Sequence, residues 1–405
     1  MRSLFEQDDY PGQPRILFVG LGHSSHTHAW IDLLNETNLN VRIFCTTTDA
    51  PPPDWKIKTY VLGGPASKAD RSRRKYLWEE APVSYRIRRR AARARGRQFP
   101  DAWPINDWFS AVVRNWRPQI VHTLGLDAAR FYYPFRERCS DGGPKWILQT
   151  RGGSDLQLAH LDPALRSGIE NLLRACDQLL SDNTLNYRIA RELGVREDQL
   201  AKLGTAPGTG GVVIEREWPA RTSDRRLIVW PKAFEAPWSK SLPVLEAFKL
   251  CAEKLNPFQV EMLATCPETK MHFWALPEAL RRNFTIRERI PRHDALRLIR
   301  QARVVLSPSL VDGVPNVMYE AMASGAVPIV SPLESIKPLV RHAENVLFAR
   351  NLYPEEIAAA LERAMTDDAL VESIAAKNLE LVHQIADREV IRRRVIDYYR
   401  ALAGR

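Results

Sequence analysis

The sequence contains no run of about 18 apolar residues, the length that a transmembrane helix needs. Its first fifteen residues are polar and acidic, so we expect no secretory signal peptide there. The five cysteines are scattered, and none forms a C-x-x-C pair. This pattern is typical of reduced thiols and argues against a disulfide-stabilised secreted domain. We therefore expect a cytoplasmic protein.

Acidic residues are scarce in one segment, which carries most of the chain's net charge of +10. Between Lys68 and Arg97 there are twelve Lys or Arg residues and three acidic ones, a local balance of +9. Large apolar side chains lie among the charges: Tyr76, Leu77, Trp78, Tyr85 and Ile87. Three interpretations stay open: an element that binds an anionic membrane surface or acceptor, a nucleic-acid-binding segment, or a solvated insertion. Nucleic acid is the least favoured.

Short apolar runs alternate with segments of helical spacing, a pattern typical of parallel sheets covered by helices. Predicted strands in the first half are Arg15–Gly20, Val41–Thr46, Ile120–Leu124, Trp146–Thr150 and a short one near Leu179–Leu180. Predicted strands in the second half are Leu227–Trp230, Gln259–Ala264, Val304–Ser307 and Val327–Val330. Predicted helices are His28–Asn35, Leu242–Lys254, Asp294–Arg300, Val317–Ala323, Glu355–Met365 and Arg388–Leu402.

A length of 405 residues favours two domains, and the Gly- and Pro-rich stretch Gly204–Gly211 is typical of a linker. We predict an α/β protein with two doubly wound, Rossmann-like domains that face a cleft. The first domain is residues 1–204, with the basic segment 68–97 as an insertion. The second is residues 205–386. Residues 387–405 form a last helix that is expected to pack back on the first domain.

The richest stretch runs from Ser307 to Pro332, where an apolar strand, a turn, a helix start and a second strand follow one another. Two carboxylates, Asp312 and Glu320, stand eight positions apart. Pro315 suits a first helical turn, and Gly313 lets the backbone approach a ligand closely. A helix N-terminus favours a phosphate or a sugar hydroxyl. The structural alternative makes Asp312 a helix cap and Glu320 a solvated helix residue.

The spacing of Asp312 and Glu320 resembles the E-x7-E signature of family 4 glycosyltransferases, which have the GT-B fold. The segment EAMASGAVPIVS, which begins at Glu320, is similar to that family's E-A-M-A-x-G-x-P-V-V. The resemblance implies that Glu320 binds the donor ribose and that Asp312, a candidate catalytic residue, lies beside the transferred sugar. It implies that the turn between them binds the donor, through Gly313, Val314, Pro315 and Asn316. Asp312 replaces the usual Glu, which shortens the side chain.

Two segments of the first half resemble the same family more loosely. Gln119–Leu124 is similar to its D-V-V-H-x-H strand, with Leu124 where the second His often stands. Gln149–Leu156 resembles T-x-H-G-x-D, with Arg151 in place of the His. An arginine at this position could contact the donor diphosphate or an anionic acceptor. The alternative is a salt bridge at the end of a strand.

One further segment of the second half carries the resemblance. Pro231–Phe248 is similar to a region whose Arg and Lys hold the donor diphosphate in the family. The spacing differs from the usual one. The resemblance implies Lys232 and Lys240 as the donor-binding cations, and in all it covers roughly residues 15–380.

The loop Gly20–Thr27 follows the first strand, and a glycine turn that opens onto a helix commonly binds a phosphate or a substrate. The resemblance implies that Gly22 and His23 reach the donor and that His26 has a catalytic part. The alternative is that these histidines satisfy loop backbone. A zinc site built on His23, His26 and His28 is disfavoured, because no Cys or carboxylate stands at a partnering spacing.

No D-x-D motif follows any predicted strand, so we expect no metal cofactor; lysines and a helix N-terminus can stabilise a nucleoside diphosphate instead. The two carboxylates lie on one unit and not across a scissile bond, which argues against a glycosidase. The resemblance implies a retaining hexosyl transfer from a nucleotide-sugar to an acceptor. The basic segment 68–97 alone indicates the acceptor, a growing surface glycan or lipid-linked intermediate of surface polysaccharide, and a location on the inner face of a membrane. Two alternatives stay open: a nucleotide-sugar epimerase of the GT-B fold, or a non-catalytic subunit that binds a sugar nucleotide.

Overall fold

The computed structural model describes residues 7–47, 51, 55–61, 78–81, 83–96, 105–139, 143–214 and 218–404. The chain divides into two compact units. Unit 1 contains the described residues of Met1–Arg151, Asp155–Thr205 and Arg392–Arg405, and unit 2 contains Gly152–Ser154 and Ala206–Ile391. Residues 68–77, 82 and 97 of the basic segment lie outside the described residues, and Tyr76 and Leu77 with them.

The described residues of unit 1 form one sheet of eight parallel strands. The strands are β1 Arg15–Gly20, β2 Asn40–Cys45, β3 Lys58–Val61, β4 Trp78–Glu80, β5 Ile120–Leu124, β6 Lys145–Gln149, β7 Gln178–Ser181 and β8 Leu200–Thr205. Their order across the sheet is β4-β3-β2-β1-β5-β6-β7-β8. The helices are α1 Ser25–Ile31, α2 Val83–Ala94, α3 Ile105–Trp116, α4 Leu126–Glu137, α5 Gly152–Ala159, α6 Pro163–Ala175 and α7 Thr184–Glu192.

Unit 2 is built on six parallel strands. They are β9 Leu227–Trp230, β10 Gln259–Met262, β11 Phe284–Ile286, β12 Ala302–Ser307, β13 Val327–Val330 and β14 Leu347–Phe348, in the order β11-β10-β9-β12-β13-β14. The helices are α8 Leu242–Leu255, α9 Pro267–Trp274, α10 Glu278–Arg281, α11 Arg292–Gln301, α12 Asn316–Ala323, α13 Pro354–Thr366 and α14 Asp368–Ile385. A last helix, α15 Arg388–Ala403, lies mostly in unit 1.

Both faces of each sheet are covered, because successive side chains of a strand point to opposite faces and both sets are apolar. In unit 1, Leu17 and Val19 join one large buried cluster. Phe18, between them, contacts Tyr399 of α15 at a ring-centroid distance of 6.0 Å. In unit 2, Ile228 packs into one cluster and Val229 into another. The predicted fold class, α/β with two doubly wound parallel sheets, is confirmed.

The strand order reverses at one place in each sheet. In unit 1 this place lies between β1 and β5, and in unit 2 between β9 and β12. The crossovers on either side leave in opposite directions there, which opens a crevice at the carboxyl ends of the two strands. In unit 2 the residues that follow β9 and β12 are therefore the strongest candidates for a ligand-binding site.

Two local predictions need correction. The first helix begins at Ser25, three residues before the predicted His28, and Asp32–Leu34 is a 3-10 turn. Pro315 is the N-cap residue of α12 and not part of its first turn, because its backbone is extended (φ −61°, ψ 121°) and the helix begins at Asn316. Its carbonyl accepts the N–H of Met318 at 2.9 Å, so it still closes the first turn.

A buried chain of hydrogen bonds ties α15 to the sheet of unit 1. The indole Nε1 of Trp30 donates to the Tyr399 hydroxyl at 3.1 Å. The same hydroxyl lies within hydrogen-bonding distance of Nδ1 of His122, at 2.6 Å. Burial holds the pKa of His122 well below its usual value, so the ring is neutral and able to accept. His122, which stands at the first His of the D-V-V-H-x-H resemblance, thus joins α15 to the sheet of unit 1.

Replacing Tyr399 by Phe is expected to destabilise unit 1 by about 1–3 kcal/mol, because Trp30 and His122 lose their shared buried partner. Tyr398→Phe is the matched control. The Tyr398 hydroxyl is buried and has no hydrogen-bond partner in the described part of the chain, so its removal should change stability by less than about 0.5 kcal/mol. Urea unfolding followed by tryptophan fluorescence measures both. Equal losses in the two variants would contradict the bracing role of Tyr399.

Candidate active site

Two side chains meet where the strand order of unit 2 reverses. Lys232 follows β9 by two residues, and Asp312 stands on the loop that follows β12. The Lys232 Nζ donates to Asp312 Oδ2 at 3.1 Å. The side chains are 38% and 18% exposed, so the pair lies in a crevice that still reaches solvent. The neighbouring strands thus bring a cation and a carboxylate together from positions 80 residues apart in sequence.

The Asp312 loop is fixed by local hydrogen bonds. Asp312 Oδ1 accepts the N–H of Gly313 at 2.9 Å. The buried Ser335 hydroxyl lies 2.9 Å from the carbonyl oxygen of Asp312 and 3.0 Å from that of Gly313. The structural alternative, in which Asp312 caps α12, is therefore wrong, because the N-cap residue is Pro315. Both carboxylate oxygens of Asp312 are held at the mouth of the crevice.

Helix α12 presents one polar edge. Six of its eight residues are buried, and the remaining two are Asn316 and Glu320. Residues four apart lie on the same side of a helix, so these two project together. Asn316 Oδ1 accepts from the hydroxyl and the backbone N–H of Thr209, at 2.8 and 3.3 Å. Val314, just before the helix, is 2% exposed and packs in the core, so that it can offer a ligand only its backbone.

Glu320 is not a solvated helix residue. Its side chain is 13% exposed, and Oε1 accepts from Nη2 of Arg292 at 2.5 Å. Arg292 is the first residue of α11 and is 41% exposed. The carboxylate of Glu320 is thereby held on the side of α12 that also carries Asn316.

Lys240 is tied to the same loop by a buried amide. Asn351 Oδ1 accepts the backbone N–H of Lys240 at 2.9 Å, and its Nδ2 donates to the carbonyls of Lys240 and Pro308 at 3.1 and 3.0 Å. Pro308 directly follows β12. The Lys240 ammonium lies 3.6 Å from Glu235 Oε2. The second predicted donor-binding lysine is thus next to the Asp312 loop, with a carboxylate partner of its own.

Glu235 occupies the N-terminus of α8. It accepts from the N–H and the hydroxyl of Ser241, both at 2.7 Å, and from the N–H of Leu242 at 3.3 Å. Burial works against its charge, but these hydrogen bonds and Lys240 outweigh burial and hold the pKa of Glu235 below its usual value. The carboxylate of Glu235 therefore occupies the N-terminus of α8, where an anionic ligand could otherwise bind. The helix whose N-terminus directly follows the Asp312 loop is α12.

The unit 1 candidates lie on two loops that follow strands of its sheet. Gly22 is buried, His23 half-buried and His26 exposed on α1. A Cβ at Gly22 would lie 2.1 Å from Sγ of Cys45, so only glycine fits. The Gly22 carbonyl lies 2.7 Å from Nε2 of His28. The loop is thus a packed turn, and steric contact with Cys45 requires a glycine at position 22 whether or not a ligand binds there.

Arg151 is the N-cap residue of α5 and is half-buried. Its backbone N–H donates to Asp155 Oδ2 at 2.8 Å, while Asp155 Oδ1 accepts the N–H of Leu126 at 2.9 Å. Burial raises the pKa of Asp155 to about 6 and lowers that of Arg151 to about 10. The Arg151 Nη2 lies 3.4 Å from Oε1 of Gln149. The predicted contact of Arg151 with a diphosphate or an acceptor stays a prediction.

Within the residues that the structure describes, no three His, Cys, Asp or Glu side chains come together as a metal site would require. No helix in the described ranges is both long and apolar enough to span a bilayer.

Several residues of the site gave no sequence signal strong enough to single them out. They hold or neutralise the predicted residues from distant parts of the chain: Thr209, Glu235, Arg292, Ser335 and Asn351. Only Glu235 stood inside a segment that carried the resemblance. The other four reach the site through tertiary packing.

Comparison with known proteins defines the class. Residues 225–367, which lie in unit 2, match the family model of group 1 glycosyl transferases. No curated protein matches the chain in sequence. Solved structures match it over nearly its whole length at low identity.

Three of these structures are informative. Sucrose-phosphate synthase from Thermosynechococcus elongatus matches with a TM-score of 0.71 and 16% identity, over 97% of this chain and 100% of that one. HepE from Anabaena, solved with UDP-glucose, matches with a TM-score of 0.67 and 12% identity, over 96% and 99%. The lipopolysaccharide outer core galactosyltransferase WaaB matches with a TM-score of 0.60 and 11% identity, over 95% and 99%.

The fold is therefore that of the GT-B glycosyltransferases, as predicted. Residues 225–367 form a group 1 glycosyltransferase domain, and the protein is a glycosyltransferase. The domain contains both candidate lysines and both candidate carboxylates.

Gly22→Ala is expected to destabilise unit 1 by about 1–3 kcal/mol, because the added methyl overlaps Sγ of Cys45. In a Cys45→Ala background the nearest atom would be the Cβ of residue 45, at 3.4 Å, so the same substitution should cost less than about 1 kcal/mol. Urea unfolding of the four proteins measures the coupling. Costs that simply add would show that steric contact with the thiol is not why Gly22 is required.

Proposed function

We propose that this glycosyltransferase moves a hexosyl group from a nucleotide-sugar to a glycan or lipid-linked acceptor, with retention of configuration. The observation that carries the proposal is the meeting of Lys232 and Asp312 at the strand-order reversal, with Glu320 on α12, the helix that follows the Asp312 loop. All three residues lie in the matched domain. Because HepE is solved with UDP-glucose, this sugar nucleotide is the first donor to test.

The donor diphosphate would bind between the two lysines and the N-terminus of α12. Lys232 and Lys240 are 38% and 41% exposed, so both ammonium groups are accessible to an anion. A helix N-terminus adds backbone N–H groups and a favourable dipole. Glu320 would accept the two ribose hydroxyls. Asp312, shorter than the usual Glu, would lie beside the transferred sugar.

The chemistry then rests on electrostatic stabilisation of the leaving group. Negative charge grows on the β-phosphate oxygen as the glycosidic bond to the nucleotide breaks. Lys232, held 3.1 Å from Asp312 in the free chain, is positioned to exchange that carboxylate for the phosphate. This charge comes from the chain itself, so the proposal requires no metal cofactor. In unit 1, His26 stays the predicted contributor at the transferred sugar, Arg151 at an anionic group, and Gly22 with His23 at the donor.

The acceptor side of the proposal rests on α2. This helix carries a dense run of arginines, of which Arg88 and Arg90 are exposed. Val83 and Ile87 are 59% and 60% exposed on the same helix. Apolar side chains set among cations suit an anionic membrane surface, where a lipid-linked acceptor of a surface polysaccharide would lie. WaaB, whose name describes a lipopolysaccharide transferase, supports this class of acceptor.

Calorimetric titration with UDP-, GDP- and ADP-sugars tests the donor site. We expect one of them to bind the wild type with a micromolar Kd. Glu320→Ala should weaken that binding about 10- to 100-fold, because hydrogen bonds to a charged group contribute about 1.5–3 kcal/mol. Glu278→Ala is the control, since Glu278 also pairs with an arginine, Arg282 at 2.8 Å, but on α10. Absence of binding by every sugar nucleotide would contradict the proposal.

Flotation with lipid vesicles tests the membrane part. The wild type is expected to bind vesicles that contain about a quarter anionic lipid and not purely zwitterionic ones, with binding lost at high salt. Arg88→Glu with Arg90→Glu should reduce binding at least about fivefold. Arg166→Glu with Arg341→Glu makes the same change of charge on other exposed arginines and should have little effect. Binding of a nucleic acid duplex without vesicle binding would favour the nucleic-acid interpretation.

A further inference from the structure

Arg292 stands at an unfavourable place for a cation. It is the first residue of α11, and Pro291 before it has an extended backbone (φ −55°, ψ 144°). The N-terminus of a helix carries partial positive charge, so an arginine there is electrostatically disfavoured. Its guanidinium is nevertheless in direct contact with the Glu320 carboxylate, at 2.5 Å. The carboxylate on α12 is thus the group that offsets the cost of this placement.

The contact determines what Glu320 can do. A carboxylate accepts at four lone-pair sites on two oxygens, and Arg292 uses a site on Oε1. A charge-assisted hydrogen bond restricts the rotamers of the carboxylate side chain. Because the Glu320 side chain is only 13% exposed, few other orientations are open to it. The remaining lone pairs then point in a fixed direction before any ligand arrives.

We propose that Arg292 is a positioning residue for nucleotide specificity: it orients Glu320 so that the carboxylate selects a ribose with both vicinal hydroxyls. This inference rests on the proposed function, in which Glu320 binds the donor ribose. Arg292 acts through Glu320 and contributes to ribose discrimination more than to binding of the phosphates. The entropic cost of orienting Glu320 arises in the free protein and not on binding, so the carboxylate binds the ribose hydroxyls more tightly.

An ordinary surface ion pair is the alternative, and such pairs contribute little. The chain offers one for comparison: Arg282 and Glu278, 2.8 Å apart, with side chains 75% and 72% exposed. Glu320 is far less exposed than Glu278. The two pairs should therefore differ in function even though both are short.

The test measures the binding of UDP, GDP and ADP and of their 2′-deoxy forms by calorimetry. The wild type should bind one ribonucleotide about tenfold or more tightly than its deoxy form, about 1.4 kcal/mol. Arg292→Met should weaken the ribonucleotide about tenfold, leave the deoxy form within about twofold, and so abolish the discrimination. Arg292→Lys should restore part of it, because the charge stays while the planar fork is lost. Arg282→Met should change neither value.

A double-mutant cycle separates positioning from a general loss of fold. In a Glu320→Gln background, Arg292→Met should have less than about a threefold further effect, because its target is already altered. An unchanged discrimination ratio in Arg292→Met would overturn the inference, as would equal weakening of the ribo and deoxy forms. If the wild type bound none of the nucleotides or nucleotide-sugars, the proposed function itself would fail. Binding without any ribose discrimination in the wild type would overturn the ribose role of Glu320 and with it that of Arg292, while glycosyl transfer from a nucleotide-sugar would still stand.

Discussion

The site of unit 2 depends on one constraint of parallel sheets. Where the strand order reverses, the loops that follow two neighbouring strands diverge and leave a crevice between them. β9 and β12 are those strands, and their loops supply Lys232 and Asp312. The other contacts of the site fix the loops that carry this pair. Ser335 fixes the Asp312 loop, Asn351 joins Lys240 to it, and α12 begins three residues after Gly313.

Each cation at this site has a carboxylate partner in the free chain. Lys232 pairs with Asp312, Lys240 with Glu235, and Arg292 with Glu320. Such pairing neutralises each positive charge locally. A diphosphate carries enough negative charge to compete for both lysines, whereas the arginine–carboxylate pair, with its shorter hydrogen bond, is suited to persist. The same set of charges can then stabilise the site by itself and, under the proposed function, bind the donor.

The sequence predicted the parts of this site that are local in the chain. Strand β12, the Asp312 turn and helix α12 follow one another within one stretch, so spacing and the family resemblance were enough. The partners could not be predicted in the same way. Arg292 and Asn351 reach the site only because α11 and the residues after β14 pack beside the loop, and no periodicity of the sequence encodes that contact. The strands β3, β4, β8, β11 and β14 were missed because none of them contains a long apolar run; β8, Leu200–Thr205, also has a lysine and a glycine among its six residues.

The first half of the chain shows why a motif resemblance needs a structure beside it. His122 matches a motif histidine, yet it is a neutral, fully buried hydrogen-bond partner of Tyr399. Both carboxylate oxygens of Asp155 likewise accept hydrogen bonds from backbone N–H groups, those of Leu126 and Arg151. These residues support the loops at the carboxyl ends of β5 and β6 from inside. A polar residue that resembles a site motif can therefore have the structural role of shaping a loop, and the motif alone does not distinguish this role from a contact with substrate.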